Sequence, residues 1–171
     1  MSHLQKLNQK ILNESQLIIE LEACKVAGKK VVFTNGCFDI LHKGHVSYLA
    51  AAADCGDVLV LALNSDDSVK LQGKGEDRPI NKFDARSTII AGLGFVDYVI
   101  EFDADTPLDM ITRLKPDVLV KGGDYNPAEE DKNSKQYIVG REVVLANNGE
   151  VKTIDLVDGF STTGLINKLK K

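Results

Sequence analysis

What this 171-residue sequence lacks bounds its partners before any motif is read. It carries no excess of positive charge. Its 21 Lys and Arg stand against 25 Asp and Glu, a formal net charge of −4, which argues against nucleic acid or an acidic membrane as the main partner and makes phosphate recognition a local matter. No apolar run approaches the length that spans a bilayer, and Met1-Ser2-His3-Leu4-Gln5-Lys6 has no signal-peptide core. The three cysteines, Cys24, Cys37 and Cys55, form no disulfide-scaffold pattern, so a cytoplasmic, reducing location is expected. Metal motifs of the Cys-x-x-Cys or His-Glu-x-x-His kind are missing. Of the three histidines, His42 and His45 alone lie close together, at most a partial metal site, and no resident metal is expected.

What is present centres on residues 31–45. Val31, Val32 and Phe33 form a β-branched and aromatic run typical of a strand buried on both faces, and Gly36 follows where the backbone turns or lets a ligand approach. Tyr48, Leu49, Ala52 and Ala53 then recur at helical spacing up to Cys55-Gly56, which predicts a helix of roughly three turns from near Lys43. Its N-terminus would meet the carboxyl end of the strand, where unpaired N–H groups and the helix dipole favour an anion. Histidines three apart on that first turn share one face and aim at the same anion. Cys37 has no base partner beyond those two histidines, which disfavours a nucleophilic role.

The Gly36-Cys37-Phe38-Asp39 turn with His42-Lys43-Gly44-His45 resembles the G-x-F-D…H-x-G-H signature of the nucleotidyltransferase superfamily that includes cytidylyltransferases and pantetheine-phosphate adenylyltransferase. From about Lys29 onward the chain is similar to the adenylyltransferase domains of ADP-heptose synthases. That closer match rests on Asn64-Ser65-Asp66-Asp67-Ser68-Val69-Lys70, Arg78-Pro79-Ile80-Asn81, Val120-Lys121-Gly122-Gly123-Asp124-Tyr125 and Asp158-Gly159-Phe160-Ser161-Thr162-Thr163. The fold expected is α/β, a Rossmann-like doubly wound parallel sheet of about five strands of nucleotidyltransferase type. It is read as one domain, with a leading helical segment over 1–28 and a catalytic core over 29–171.

Taken in order, residues 1–12 are polar and weakly periodic, and Asn13 or Ser15 caps a helix that Gly28 ends. Residues 58–63 repeat the buried-strand pattern, completing a right-handed parallel β-α-β unit whose second strand ends at Asn64. Residues 65–82 read as a long polar connection holding Lys70, Lys74 and Arg78. It is either a cationic flap over the polyphosphate or a solvated charge run, and resemblance favours the flap. Asn81 is placed to cap a helix over 83–93 that carries Arg86. Strands are expected over 96–100 and 117–120 with a short helix between them that Lys115-Pro116 stops. Residues 138–146 fit strand or helix, 150–156 alternate like a strand, and a closing helix follows Gly164.

The resemblance implies roles. His42, His45 and Lys70 are the expected catalytic group. Thr34, Asn35, Gly36, Cys37, Phe38, Asp39, Gly44, Lys121, Gly122, Gly123, Asp124, Ser161, Thr162 and Thr163 are expected around the nucleotide, and Asn64, Arg78 and Arg86 near the substrate phosphate. Asp39 otherwise reads as a turn-forming or positioning residue. Ser161, Thr162 and Thr163 otherwise read as simple helix caps. The implied reaction moves AMP from ATP, accompanied by Mg2+, onto D-glycero-β-D-manno-heptose 1-phosphate, feeding lipopolysaccharide core assembly. Related cytidylyltransferases carry an arginine just before the hydroxyl signature, where Val157 and Asp158 stand here, so Lys70, Lys74 or Arg78 would supply that charge. The alternatives are a glycerol-3-phosphate cytidylyltransferase and a non-catalytic nucleotide-binding module. Expected partners are small molecules, a second copy of the chain and a separate sugar kinase upstream.

Overall fold

A computed structural model describes residues 1–72 and 77–169. Five strands, β1 (Val31–Gly36), β2 (Val58–Asn64), β3 (Tyr98–Phe102), β4 (Val118–Gly122) and β5 (Glu150–Ile154), form one sheet in the order β3-β2-β1-β4-β5. Every pairing is parallel. The helices are α1 (His3–Asn8), α2 (Glu14–Val26), α3 (Lys43–Ala53), α4 (Asp66–Leu71), α5 (Phe83–Ala91), α6 (Leu108–Leu114), α7 (Arg141–Ala146) and α8 (Thr162–Leu169).

The period of two along each strand divides the core between two faces. Val31, Phe33, Val58, Val60 and Ala62 join Leu17 and Leu21 of α2 with Met110, Ile111 and Leu114 of α6. Val32, Leu59, Leu61 and Leu63 join Tyr48, Leu49 and Ala52 of α3 with Ile90 and Ala91 of α5. Burial on both faces is why β1 opens with the apolar run Val31-Val32-Phe33 and β2 is apolar over residues 58–63. Every residue of β2 is buried, and truncating one of its leucines to alanine costs about 2 to 5 kcal/mol.

Three local features differ from the sequence reading, and a fourth settles an alternative it left open. Residues 1–12 are more ordered than their weak periodicity suggests: Ser2 and Gln5 close a capping box on α1. The following segment extends the sheet, with Leu12 N–H donating to Val99 O (2.9 Å) and Val99 N–H to Lys10 O (2.8 Å). An edge strand needs such cover, and the signal is long-range pairing rather than composition. The polar 65–82 connection contains α4, whose N-cap Ser65 accepts from Ser68 N–H and whose first turn holds Asp66 and Asp67 against the helix dipole. Ser68 and Val69 are its buried residues, too few to show a periodic stripe. Asn81 does not cap α5. The N-cap is Lys82, without a side-chain bond, because Asn81 is engaged by Asp39: its N–H donates to Asp39 Oδ1 and its Nδ2 to Asp39 O. The ambiguous 138–146 stretch becomes α7, entered through Gly140 at φ 90°, a left-handed conformation that favours glycine. Among the described residues no helix is long and apolar enough to cross a membrane.

Candidate active site

Six residue pairs hold β1 to β2, whereas β1 meets β4 only at Val32↔Val118 and Phe33↔Leu119. The two central strands diverge where the strand order reverses, and the crevice opens at their carboxyl ends, the usual ligand position in open α/β sheets. A cavity of ≈ 390 Å³ lies there. Its wall includes Asn35, Gly36, Cys37, Phe38, His42, Gly44, His45, Arg78, Lys121, Gly122, Asp124, Ser161, Thr162 and Thr163. Fourteen of the sequence-derived positions, scattered over some 130 residues of chain, therefore meet in one place.

The two histidines are organised by the helix start. His42 is the N-cap of α3, and its Nδ1 accepts from His45 N–H at 3.3 Å. The imidazoles stack with centroids 3.7 Å apart and planes 14° from parallel. Phe38, at φ 45°, places its ring 5.0 Å from that of His45. Gly44 makes the stack fit: a Cβ there would lie 3.1 Å from Phe160 Cβ and 3.2 Å from the His42 ring. With Nδ1 accepting, the neutral His42 ring carries its proton on Nε2. That atom is buried and has no hydrogen-bond partner among the described residues. Burial holds the His42 pKa below its ordinary 6.5, so the neutral ring prevails at pH 7. An anion at Nε2 would favour the charged form.

The cavity floor is polar and tightly tied. Lys121 Nζ donates to Asn35 Oδ1 at 2.5 Å and sits 5.4 Å from the Tyr125 ring centre. Burial lowers the Lys121 pKa to about 8, opposed by the charge of Asp124. Tyr48 donates its hydroxyl to Val120 O (3.2 Å), which leaves Thr34 as donor to Tyr48 Oη (2.7 Å). Burial pushes the Tyr48 pKa well above its usual range. Thr34 thus supports the floor from behind.

Arg78 reaches the cavity through Asp39. The Asp39 carboxylate accepts from Arg78 Nε, Ile80 N–H (2.9 Å) and Asn81 N–H (2.8 Å), so one buried side chain fastens the 78–81 segment to the β1 turn. Arg86 is placed differently. Fully buried, it donates Nε to Asn81 O (2.9 Å), Nη1 to Cys37 O (3.0 Å) and Nη2 to Asp66 Oδ1 (2.8 Å), behind the wall. Asn64 is also behind it, donating to Ser68 Oγ and accepting from Cys37 Sγ. Gly123 backs on Asp155, with only 3.0 Å to that carboxylate for a Cβ. Lys70 stands outside the cavity, exposed and 2.7 Å from Asp67 on the same turn of α4. Lys74 lies outside the described residues.

Tyr48, Tyr125, Leu156, Val157 and Phe160 also line the cavity and were not picked out from sequence as site residues. Tyr48 lies three residues beyond His45 on the same helix face, and Phe160 and Tyr125 adjoin the hydroxyl and glycine motifs, so adjacency was the available signal. Ser161 Oγ accepts from Gly164 N–H (3.0 Å), which caps α8 and turns its first residues to the cavity. No group of three or more His, Cys, Asp or Glu that could hold a metal ion occurs among the described residues.

A parallel sheet in this order, with a buried imidazole donor and a helix N-terminus at its switch point, defines a nucleotide-binding α/β protein. A family model described as cytidylyltransferase-like matches residues 33–167, and the chain belongs to that family of nucleotidyltransferases. Among curated relatives, the bifunctional protein HldE of Campylobacter concisus is 58% identical over 142 residues, which cover 83% of this chain and 27% of that protein. The bifunctional protein HldE of Histophilus somni is 50% identical over 161 residues, 94% of this chain and 32% of that protein. The chain thus spans less than a third of the length of either relative. Among solved structures, a lipopolysaccharide core biosynthesis protein from Thermoplasma volcanium aligns with TM-score 0.57 and 26% identity, over 76% of this chain and 98% of that one. A pantoate-β-alanine ligase from Francisella tularensis shares the fold, with TM-score 0.57 at 14% identity over 94% of this chain and 76% of that one.

Proposed function

We propose that this chain transfers AMP from ATP to D-glycero-β-D-manno-heptose 1-phosphate, giving ADP-heptose and pyrophosphate. The observation that carries a phosphate-transfer site is the buried, unpartnered Nε2 of His42 beside the cavity at the N-terminus of α3. A buried donor without a partner is costly unless a ligand satisfies it. The sugar is selected by the motif resemblance to ADP-heptose synthases and by the HldE relatives.

The chemistry needs no protein nucleophile. A sugar 1-phosphate is largely a dianion at pH 7, its second pKa being about 6. One of its oxygens attacks the α-phosphorus, a new P–O bond forms, and the bond from that phosphorus to the α,β-bridging oxygen breaks, its electron pair leaving with pyrophosphate. The protein's work is alignment and charge stabilisation. His42 and His45 serve the α-phosphate and the bridging oxygen, the N–H groups of the β1 turn and α3 receive the phosphates, and Ser161 and Thr162 hold the departing pyrophosphate. Arg78, fixed by Asp39, takes the sugar phosphate and supplies the cationic charge missing before Ser161. Lys121, Gly122, Asp124 and Tyr125 bound the nucleotide. Mg2+ enters with ATP as part of the substrate, neutralising charge on the β- and γ-phosphates. Lys70, exposed and paired with Asp67 outside the cavity, would reach the phosphates only if α4 shifted towards them. The setting is the cytoplasm, downstream of a sugar kinase activity, with neither nucleic acid nor membrane as partner and a homo-oligomer as the working form.

The test is pyrophosphate release with magnesium, crossing ATP and CTP with heptose 1-phosphate and glycerol 3-phosphate. Release with ATP and the heptose phosphate alone is the expected result. Turnover with CTP and glycerol phosphate would replace the substrates while keeping the site, and silence in all four combinations would leave a binding module.

A further inference from the structure

Lys121 and Asn35 face each other across the gap that opens between β1 and β4. The β1–β4 ladder ends at Phe33↔Leu119, so from there onward the two strands are joined through side chains. Among the described residues, one link is the Thr34–Tyr48–Val120 relay, and another is the Lys121–Asn35 bond, both of whose side chains line the cavity. An ammonium group has three donors and no acceptor. The Asn35 carboxamide must therefore turn its Oδ1 to Lys121, and the usual ambiguity between amide oxygen and nitrogen is removed. Nδ2 is left as the other edge of a cavity-lining side chain, and it makes no hydrogen bond to the described residues.

We propose that Lys121 is a positioning residue, locking the Asn35 carboxamide so that its N–H2 edge donates to an anionic oxygen of the bound nucleoside triphosphate. The assignment rests on reading the cavity as the nucleotide site. It turns a donor edge of the crevice floor towards phosphate and gives the buried Lys121 a part that direct ligand contact does not require.

The experiment measures binding of a non-cleavable ATP analogue with magnesium by calorimetry, on the full chain without sugar phosphate, so its result does not depend on which acceptor the enzyme uses. The variants are K121M, N35A, K121M/N35A and N35D, each checked for its melting transition. Lys121→Met keeps the buried stem and releases the amide. Asn35→Asp keeps an acceptor for Lys121 but deletes the N–H2 donor. Affinity is expected to fall about tenfold in N35A and K121M, a typical value for one charge-assisted hydrogen bond. The double variant should be no worse than N35A alone, since Lys121 acts through Asn35. N35D should fold normally and bind at least as poorly as N35A. Additive losses in the double variant, or N35D binding like the unmodified protein, would overturn the proposal. Should K121M fail to fold, N35D alone still decides it.

Discussion

Two polar regions lie back to back at the carboxyl end of β1, and they differ in what their polar groups have left to give. Behind the turn, Arg86 spends all three of its nitrogens on Asn81 O, Cys37 O and Asp66, while Asn64 is tied to Ser68 and Cys37. In front of it, and among the described residues, His42 Nε2 is buried without a partner, Asn35 has one amide edge uncommitted and Arg78 is bound through Nε alone. The rear cluster is saturated and holds the turn in shape; the front cluster is held in shape with donors in reserve. Two arginines that look alike in the sequence are thereby divided between architecture and ligand binding.

Breaking the rear cluster should cost the most. Arg86→Met preserves volume but strips three acceptors of their donor, and removing one member of a buried charged pair costs about 3 to 5 kcal/mol. For a chain of this size the melting temperature should fall by on the order of 10 °C. Molecules that remain folded should keep their histidine geometry, so turnover per folded molecule should fall far less than stability. Thermal unfolding beside active-site titration measures the two separately.

The front cluster should give the reverse pattern. Replacing His45 with Ala should lower turnover by at least about a hundredfold, the loss typical of a transition-state donor, with the melting temperature shifted by only a few degrees. His42→Ala should lose as much turnover and, in addition, about 1 kcal/mol of stability, because His42 also caps α3. Steady-state rates of pyrophosphate release and paired melting curves would show whether the division between the clusters holds.

A weaker effect separates the two regions by pH. Lys121 has its pKa lowered from 10.5 to about 8, so the folded protein loses this proton at a pH where the unfolded chain retains it. Stability therefore rises with pH between about 8 and 10.5 from this group, so loss of the Lys121 proton does not itself unfold the protein over that range. Nucleotide affinity should weaken several-fold above about pH 8, because a neutral amine no longer dictates which way the Asn35 amide faces. Of the groups facing Lys121, burial raises both Tyr48 and Tyr125, which moves their titration away from that of the lysine. The K121M variant should bind more weakly and show no such slope.

The sheet and the front of the site were legible because their signals are local. β1 opens on the apolar run Val31-Val32-Phe33, β2 is apolar over residues 58–63, and the Gly36-to-His45 stretch places a turn, a cap and two imidazoles within ten residues. The rear cluster was not legible. Arg86 reads as a residue on an exposed helix face or as a phosphate ligand until Cys37 O and Asp66, from two other elements, are brought against it. The same limit hid the cover that 10–12 gives β3, and hid α4, whose two short turns bury too little to leave a pattern.

Lys70 gives the smallest and sharpest test of the boundary between the clusters. Motif position alone groups it with His42 and His45, yet its ammonium is exposed and held 2.7 Å from Asp67, three residues back on α4. The ion pair raises the lysine pKa and lowers that of the aspartate, but an exposed pair of this kind is heavily screened by solvent and salt. Lys70→Ala should leave the melting temperature unchanged. With α4 where it stands, kcat and the KM for ATP should each change by less than about threefold, the scale of a screened surface charge. Asp67→Ala should have no more effect, since it only releases the lysine. A loss of a hundredfold in kcat with unaltered stability would mean that α4 carries Lys70 into the cavity during turnover, exchanging Asp67 for a phosphate. Asp67→Ala would then raise activity rather than leave it alone, because the resting partner that competes with the nucleotide would be gone.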